Sequence, residues 1–260
     1  MFISLENAPP SFKGFTLIMP AVSVGNVGQL ATDLLISSLG MPRVGYLHTD
    51  CLIPMAGNNP YAVSGESAAE LSTNAEVYCL SDVRLTVLQI RAPVIQTKSR
   101  KFRKLVLSWI KACGFDKTIV LSSSHAYQRD DHQLLGTPLR YLLSPALEQE
   151  AGAPLKELEY KEMERVSAFP GIDGSEERLY IPGGGFTKGL YTDSCSEGVR
   201  MAVLLIFCSE GDNIPDAFAL LNCLNDWLHL AGKPSEASSQ WKVPVSWRLL
   251  FGSGIPPAIF

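Results

Sequence analysis

The chain has 260 residues, of which 46% are hydrophobic and 18% charged. That composition supplies a sizeable buried core and excludes an intrinsically disordered chain. The formal net charge of -4 leaves no global basic field of the kind that gathers nucleic acid or anionic lipid.

No apolar run reaches the roughly 18 residues that a membrane helix needs. The first ten residues lack the basic start, apolar centre and small-residue cleavage site of a signal peptide. The expectation is a cytoplasmic and nuclear chain with no membrane and no nucleic-acid partner. Cys51, Cys79, Cys113, Cys195, Cys208 and Cys223 are scattered and form no CxxC, which suits reduced, buried thiols. His48, His125, His132 and His229 are not at ligand spacing to them, so neither a metal nor a cofactor is expected.

Taken in chain order, Phe15 to Met19 is a short apolar run closed by Pro20 and reads as a buried strand. Val27, Leu30, Ala31, Leu34, Leu35 and Ser38 then recur at helical spacing, and Gly40 with Pro42 closes that helix. Val44 to Leu47 is the next strand, completing the pattern of a crossover in a parallel sheet. Asp50 to Asn74, rich in Pro, Gly, Asn and Ser, reads as a long surface excursion. Ala75 to Leu80 and Leu85 to Arg91 form a hairpin. Ser99 is placed to cap a helix with Phe102, Leu105, Val106, Trp109 and Ile110 on its apolar face, ended by Cys113-Gly114. Thr118 to Leu121 is a further strand that stops at Ser122-Ser123-Ser124-His125.

Beyond it lie an apolar stretch at Leu139 to Leu143, a helix near Pro145, and a charged segment from Lys156 to Arg165. Leu179 to Ile181 is extended and Thr187 to Cys195 helical. Met201 to Cys208 is a strong strand, and Asp212 or Asn213 caps a long helix with Phe218, Leu221, Leu224 and Leu228 on one face. The order predicts one α/β domain over 1–251, with a mixed, largely parallel central sheet flanked by helices. An extended C-terminal tail, 252–260, follows.

Four local features invite chemistry. Val24-Gly25-Asn26-Val27-Gly28 is a strand-to-helix turn that can aim amides at a phosphate, but it is neither a full GxGxxG nor a Walker loop. Ser122-Ser123-Ser124-His125 stands at a strand end, where open sheets place ligands, yet no GxSxG elbow accompanies it. Pro182-Gly183-Gly184-Gly185 precedes a helix that Thr187 is placed to cap. Lys98 to Lys104 is a dense basic run, of the sort that usually forms a solvated helix face.

The tail has an unusual composition for a terminus. Trp241, Trp247, Leu249, Leu250, Phe251, Ile255, Ile259 and Phe260 must bury apolar surface in the domain or on a partner. Trp241 to Phe251 is expected to fold back. Gly252-Ser253-Gly254 reads as a hinge, and Pro256-Pro257 stiffens an end suited to capture of its carboxylate in a cationic pocket.

Six blocks carry a resemblance that no single motif does: Met19 to Leu30, Met55 to Tyr61, Val120 to His125, Ile181 to Gly185, Ser209 to Ala217, and Trp247 to Gly254. In order, and across nearly the whole chain, they resemble the proteasome assembly chaperone family. The resemblance implies an α/β fold similar to that of nucleoside-processing enzymes, without enzyme activity or catalytic residues. It also implies a heterodimer with proteasome assembly chaperone 1. Such a pair binds the outer face of the forming ring of proteasome α-type subunits, promotes ring assembly, and blocks off-pathway ring dimers. Family C-termini enter pockets between adjacent α-subunits, often through a hydrophobic-Tyr-any ending. The matching positions here are Ala258, Ile259 and Phe260, so Ile259 replaces the phenol while the carboxylate and apolar contacts remain. The alternative left open by the residues is a nucleoside- or phosphate-binding enzyme using the loops at Gly25, Ser122 and Gly183.

Overall fold

Met201–Cys208 is apolar along its whole length and buried at every position, as a strand covered on both faces must be. The sheet is built around it. In the computed structural model, residues 1–7, 10–62, 69–167, 177–231 and 241–249 are described. The first half comprises β1 (Phe2–Ser4), β2 (Thr16–Pro20), α1 (Val27–Leu39), β3 (Arg43–Leu47), β4 (Ala56–Asn58), β5 (Leu71–Thr73), β6 (Ala75–Leu80), β7 (Leu85–Ile90) and α2 (Ser99–Cys113). The second comprises β8 (Lys117–His125), β9 (Leu139–Leu143), α3 (Pro145–Glu157), β10 (Lys161–Glu162), β11 (Arg165–Ser167), β12 (Glu177–Leu179), α4 (Thr187–Ser196), β13 (Met201–Cys208) and α5 (Ile214–Leu228).

Nine strands form the main sheet in the order β1-β3-β6-β7-β2-β8-β13-β9-β10. Its centre, β7-β2-β8-β13, is parallel, and antiparallel pairings extend it on both sides. The expected β2-α1-β3 crossover is made, but β6 and β7 lie between its two strands. Alternation along the strands sends side chains to two cores. On one face Leu17, Met19 and Val203 pack with Phe102 and Val106 of α2 and Leu190 of α4. On the other, Ile18, Ile119 and Leu204 pack with Leu34 of α1, Leu147 of α3 and Leu220 of α5. Gly28 lets α1 press onto β8, because a side chain there would run into the Leu121 carbonyl oxygen.

Several sequence expectations shift. β8 does not stop at Ser122 but continues to His125, since β13 pairs with it residue for residue through Cys208↔His125. Ser99 and Thr187 are first helical residues behind Lys98 and Phe186 as N-caps, so neither caps. Asn213 does take the N-cap position of α5, without a side-chain capping bond. That helix ends at Leu228, with His229 as its C-cap in the left-handed conformation. The excursion after Asp50 contains the antiparallel pair β4 and β5.

A sealed strand-end loop cluster and the candidate protein-binding surface

β2 ends at Pro20, opposite Leu121, while β8 runs on to His125. This brings the 21–26 loop, the last residues of β8 and the 182–185 loop together, where an open α/β sheet would hold a ligand. The side chains there bond to one another. Ser23 Oγ and Ser123 Oγ are 2.8 Å apart, and the Ser123 hydroxyl donates to the Val24 carbonyl at 2.5 Å. Ser122 Oγ meets Thr187 Oγ1 at 2.7 Å, while Ser124 donates to the Pro182 carbonyl at 2.8 Å. The Val24 amide, which an anion at this turn would need, donates to Gly183 at 2.8 Å. Ser122, Ser123 and Ser124 are each 0% exposed.

Backbone closes what the hydroxyls leave. Gly185, at φ +58°, lies so close to the Val22 carbonyl that no side chain fits between them. The His125 ring lies tilted at 41° against Tyr127, with centroids 4.9 Å apart, and the His125 amide donates to the Pro182 carbonyl at 2.9 Å. Cys208 adds a weak bond to the Val24 carbonyl at 3.7 Å, and burial pushes its thiol up to about 11. A nucleophile needs a free hydroxyl within reach of a base. These serines are committed to loop backbone and to each other.

A second polar cluster escaped the sequence reading. Asp33 of α1 receives two bonds from the Arg91 guanidinium, at 2.9 and 3.2 Å. It also accepts from Gln89 at 2.6 Å and from the Tyr61 hydroxyl at 2.5 Å. Glu76, fully buried on β6, accepts from Arg43 at 2.7 Å and from Tyr78 at 2.9 Å. Burial, reinforced by Asp33, holds the Tyr61 hydroxyl well above the ordinary phenol range. The network ties the Asn59-Pro60-Tyr61 turn to α1 and the sheet. Its sequence signal was two carboxylates at core-facing positions of apolar elements.

The C-terminal arm lies against this turn. Trp241 and Trp247 are buried in the core with α1 and α5, and the Trp241 indole donates to Asn222 at 2.7 Å. The Ser246 amide donates to the Pro60 carbonyl at 3.3 Å, and the Lys242 amide to Ser38 Oγ at 2.7 Å. Ala258, Ile259 and Phe260, the hinge at 252–254 and the end of the proposed domain at 251 lie outside the described residues.

Elsewhere the basic run is largely absorbed: Lys98 and Lys101 pair with Asp50, and Arg103 with Asp193. Among the described residues no helix is long and apolar enough to cross a membrane. Nor does any group of three or more His, Cys, Asp or Glu there hold a metal-binding arrangement. Large apolar side chains do reach solvent, among them Leu5, Leu71, Tyr127, Leu135 and Val243.

These features define an open-sheet α/β protein whose strand-end crevice is filled by its own loops. A family model described as the PAC2 family matches residues 17–237. Over 260 residues, and all of both chains, the sequence is 72% identical to proteasome assembly chaperone 2 of Danio rerio. The Homo sapiens protein of that name is 54% identical over 264 residues, again across both full lengths. The fold is similar to that of Pyrococcus furiosus PbaA, an archaeal homolog of proteasome-assembly chaperone. That match has a TM-score of 0.63 at 19% identity and covers 90% of this chain and 88% of the other. The chain belongs to the PAC2 family.

Proposed function

We propose that this chain is a non-enzymatic chaperone that pairs with proteasome assembly chaperone 1 and promotes assembly of the proteasome α-subunit ring while preventing off-pathway ring dimers. The observation that carries the reading is the full-length likeness, at 72% and 54% identity, to two relatives named proteasome assembly chaperone 2. The sealed crevice supports it. A nucleoside or phosphate enzyme would need the hydroxyls and amides that Ser122, Ser123 and Val24 spend on internal bonds.

In this reading Ala258, Ile259 and Phe260 enter a pocket on an α-type subunit, where a cationic group takes the carboxylate and apolar walls take the side chains. Ile259 provides no phenol, so the tail is an aid to binding rather than its whole. Cytoplasm and nucleus are the proposed compartments.

Co-expression with proteasome assembly chaperone 1 and α-type subunits, followed by native mass measurement, tests this. The expected species are a one-to-one heterodimer and its α-subunit adducts. Deleting 255–260 should spare the heterodimer and weaken the adducts by at least about tenfold. A chain that forms neither the heterodimer nor any α-subunit adduct would overturn the proposal.

A further inference from the structure

α2 with its N-cap, residues 98–113, holds six cations and no carboxylate. The whole chain carries -4, so the other residues carry -10 between them. Positive charge is therefore concentrated on one helix.

Three acids face the six cations. Asp50 meets both Lys98 and Lys101, Asp193 meets Arg103, and Glu197 meets Lys111. Arg100 and Lys104 are exposed and make no ion pair with any described residue. The same holds for Lys188 of α4, whose neighbour Gly189 packs on the Arg103 guanidinium. At about 100° per residue, Arg100, Lys104 and Lys111 fall within about 40° of one another and span about 17 Å. They lie opposite Phe102, Val106 and Ile110, which are buried in the core.

This placement runs against the field of the helix itself. Arg100, Lys101, Arg103 and Lys104 occupy the first two turns, and the first turn holds no acid. A helix start already carries about half a positive charge and favours Asp or Glu. Nothing inside the protein offsets Arg100 or Lys104. A local rule broken without an internal gain points to a use outside the fold.

The same face also selects its partner. The exposed positions of α2 are Arg100, Lys101, Lys104, Ser108, Lys111 and Ala112. None is aromatic, so bases have nothing to stack on. A nucleic acid longer than the stripe would run onto residues whose total charge is -10. None is a large apolar group, and the apolar face is held in the core, so the helix has nothing to insert into a membrane interface. What fits is an acidic protein surface of limited size, with carboxylates spread over about 17 Å.

We propose that the outer face of α2, centred on Arg100 and Lys104, docks an acidic face of a partner protein. The contact speeds and orients the encounter, and it weakens as salt rises. It does not depend on the C-terminal tail.

The test uses the full-length chain and a fluorescent glutamate-rich peptide as probe. Arg100→Glu with Lys104→Glu should weaken peptide binding by about tenfold at about 50 mM salt, with the difference gone at about 500 mM. Arg100→Lys with Lys104→Arg should bind as the parent does. Both side chains are exposed and glutamate suits a helix start, so the melting temperature should hold in each variant. In complexes with proteasome assembly chaperone 1 and α-type subunits, Lys101 and Lys104 should resist acetylation, read by mass spectrometry, while Lys156 still reacts. Peptide binding that ignores the charge reversal overturns the proposal, as do complexes in which Lys101 and Lys104 react freely. So does tighter binding to an RNA oligonucleotide of equal charge, or to phosphatidylserine vesicles, than to the peptide. If no complex forms, the assembly reading falls and the peptide comparison alone decides this one.

Discussion

At the scale of single residues, the protein's thiols show what burial does to chemistry. Burial pushes the Cys208 thiol from 9.0 to about 11 and the Cys223 thiol from 9.0 to about 12. A two-unit rise lowers the thiolate fraction at pH 8 about a hundredfold. Iodoacetamide followed by mass spectrometry should therefore label Cys208 in the folded chain at least about a hundred times more slowly than in the unfolded one. The pH dependence has a definite sign. The folded pKa lies above the unfolded one, so the folded state holds the proton more tightly between them. This stability is fully present below pH 9 and is lost as pH rises through 11 to 12. Labelling of Cys208 at the unfolded rate at pH 8 would mean that the Val24 loop opens readily, contrary to the sealed cluster.

At the scale of elements, the polar network decides which loops are fixed. Asp33 makes the close pair with Arg91, whose Nε also lies 3.8 Å from Glu76, and it receives Tyr61 and Gln89 as well. Asp33→Ala leaves a largely buried guanidinium short of its partner, which costs about 3 to 5 kcal/mol. Urea unfolding should show that loss, and exchange at Asn59 to Tyr61 should speed up. Pairing the change with Arg91→Leu should cost less than the sum of the two single changes. Purely additive costs would show that the pair does not act as a unit. This network also marks where sequence legibility ended. β13, the β6–β7 hairpin and the apolar face of α2 were readable, because each has a local period and its own stops. The β4–β5 pair was not, since residues from Arg43 to Glu76 hold it, far apart in sequence. For the same reason Ser122 to Ser124 invited a catalytic reading. The hydroxyl of Ser123 is satisfied by partners 99 and 100 residues away, and no local pattern reports such a partner.

At the scale of the whole molecule, the question is where the folded unit ends. Composition placed the boundary at 251, and the two tryptophans show why the segment before it is needed. Trp241 is 3% and Trp247 7% exposed, both packed with α1 and α5, although α5 has already ended at Leu228. Removing one such side chain costs about 3 to 5 kcal/mol, against a total of about 5 to 15 kcal/mol for a typical domain. Truncation after residue 240 removes both, together with the bonds to Asn222, Ser38 and Pro60. It should lower the melting temperature by at least about 10 °C or abolish the cooperative transition. Truncation after residue 251 spares all of these contacts and should melt within about 2 °C of the full chain, while losing affinity for α-subunit rings. Scanning calorimetry of the two truncations beside the full chain separates the roles. Equal melting of both would place the stabilising contacts elsewhere, whereas a large loss in the truncation after residue 251 would make 252–260 part of the core rather than a tail free to enter a partner.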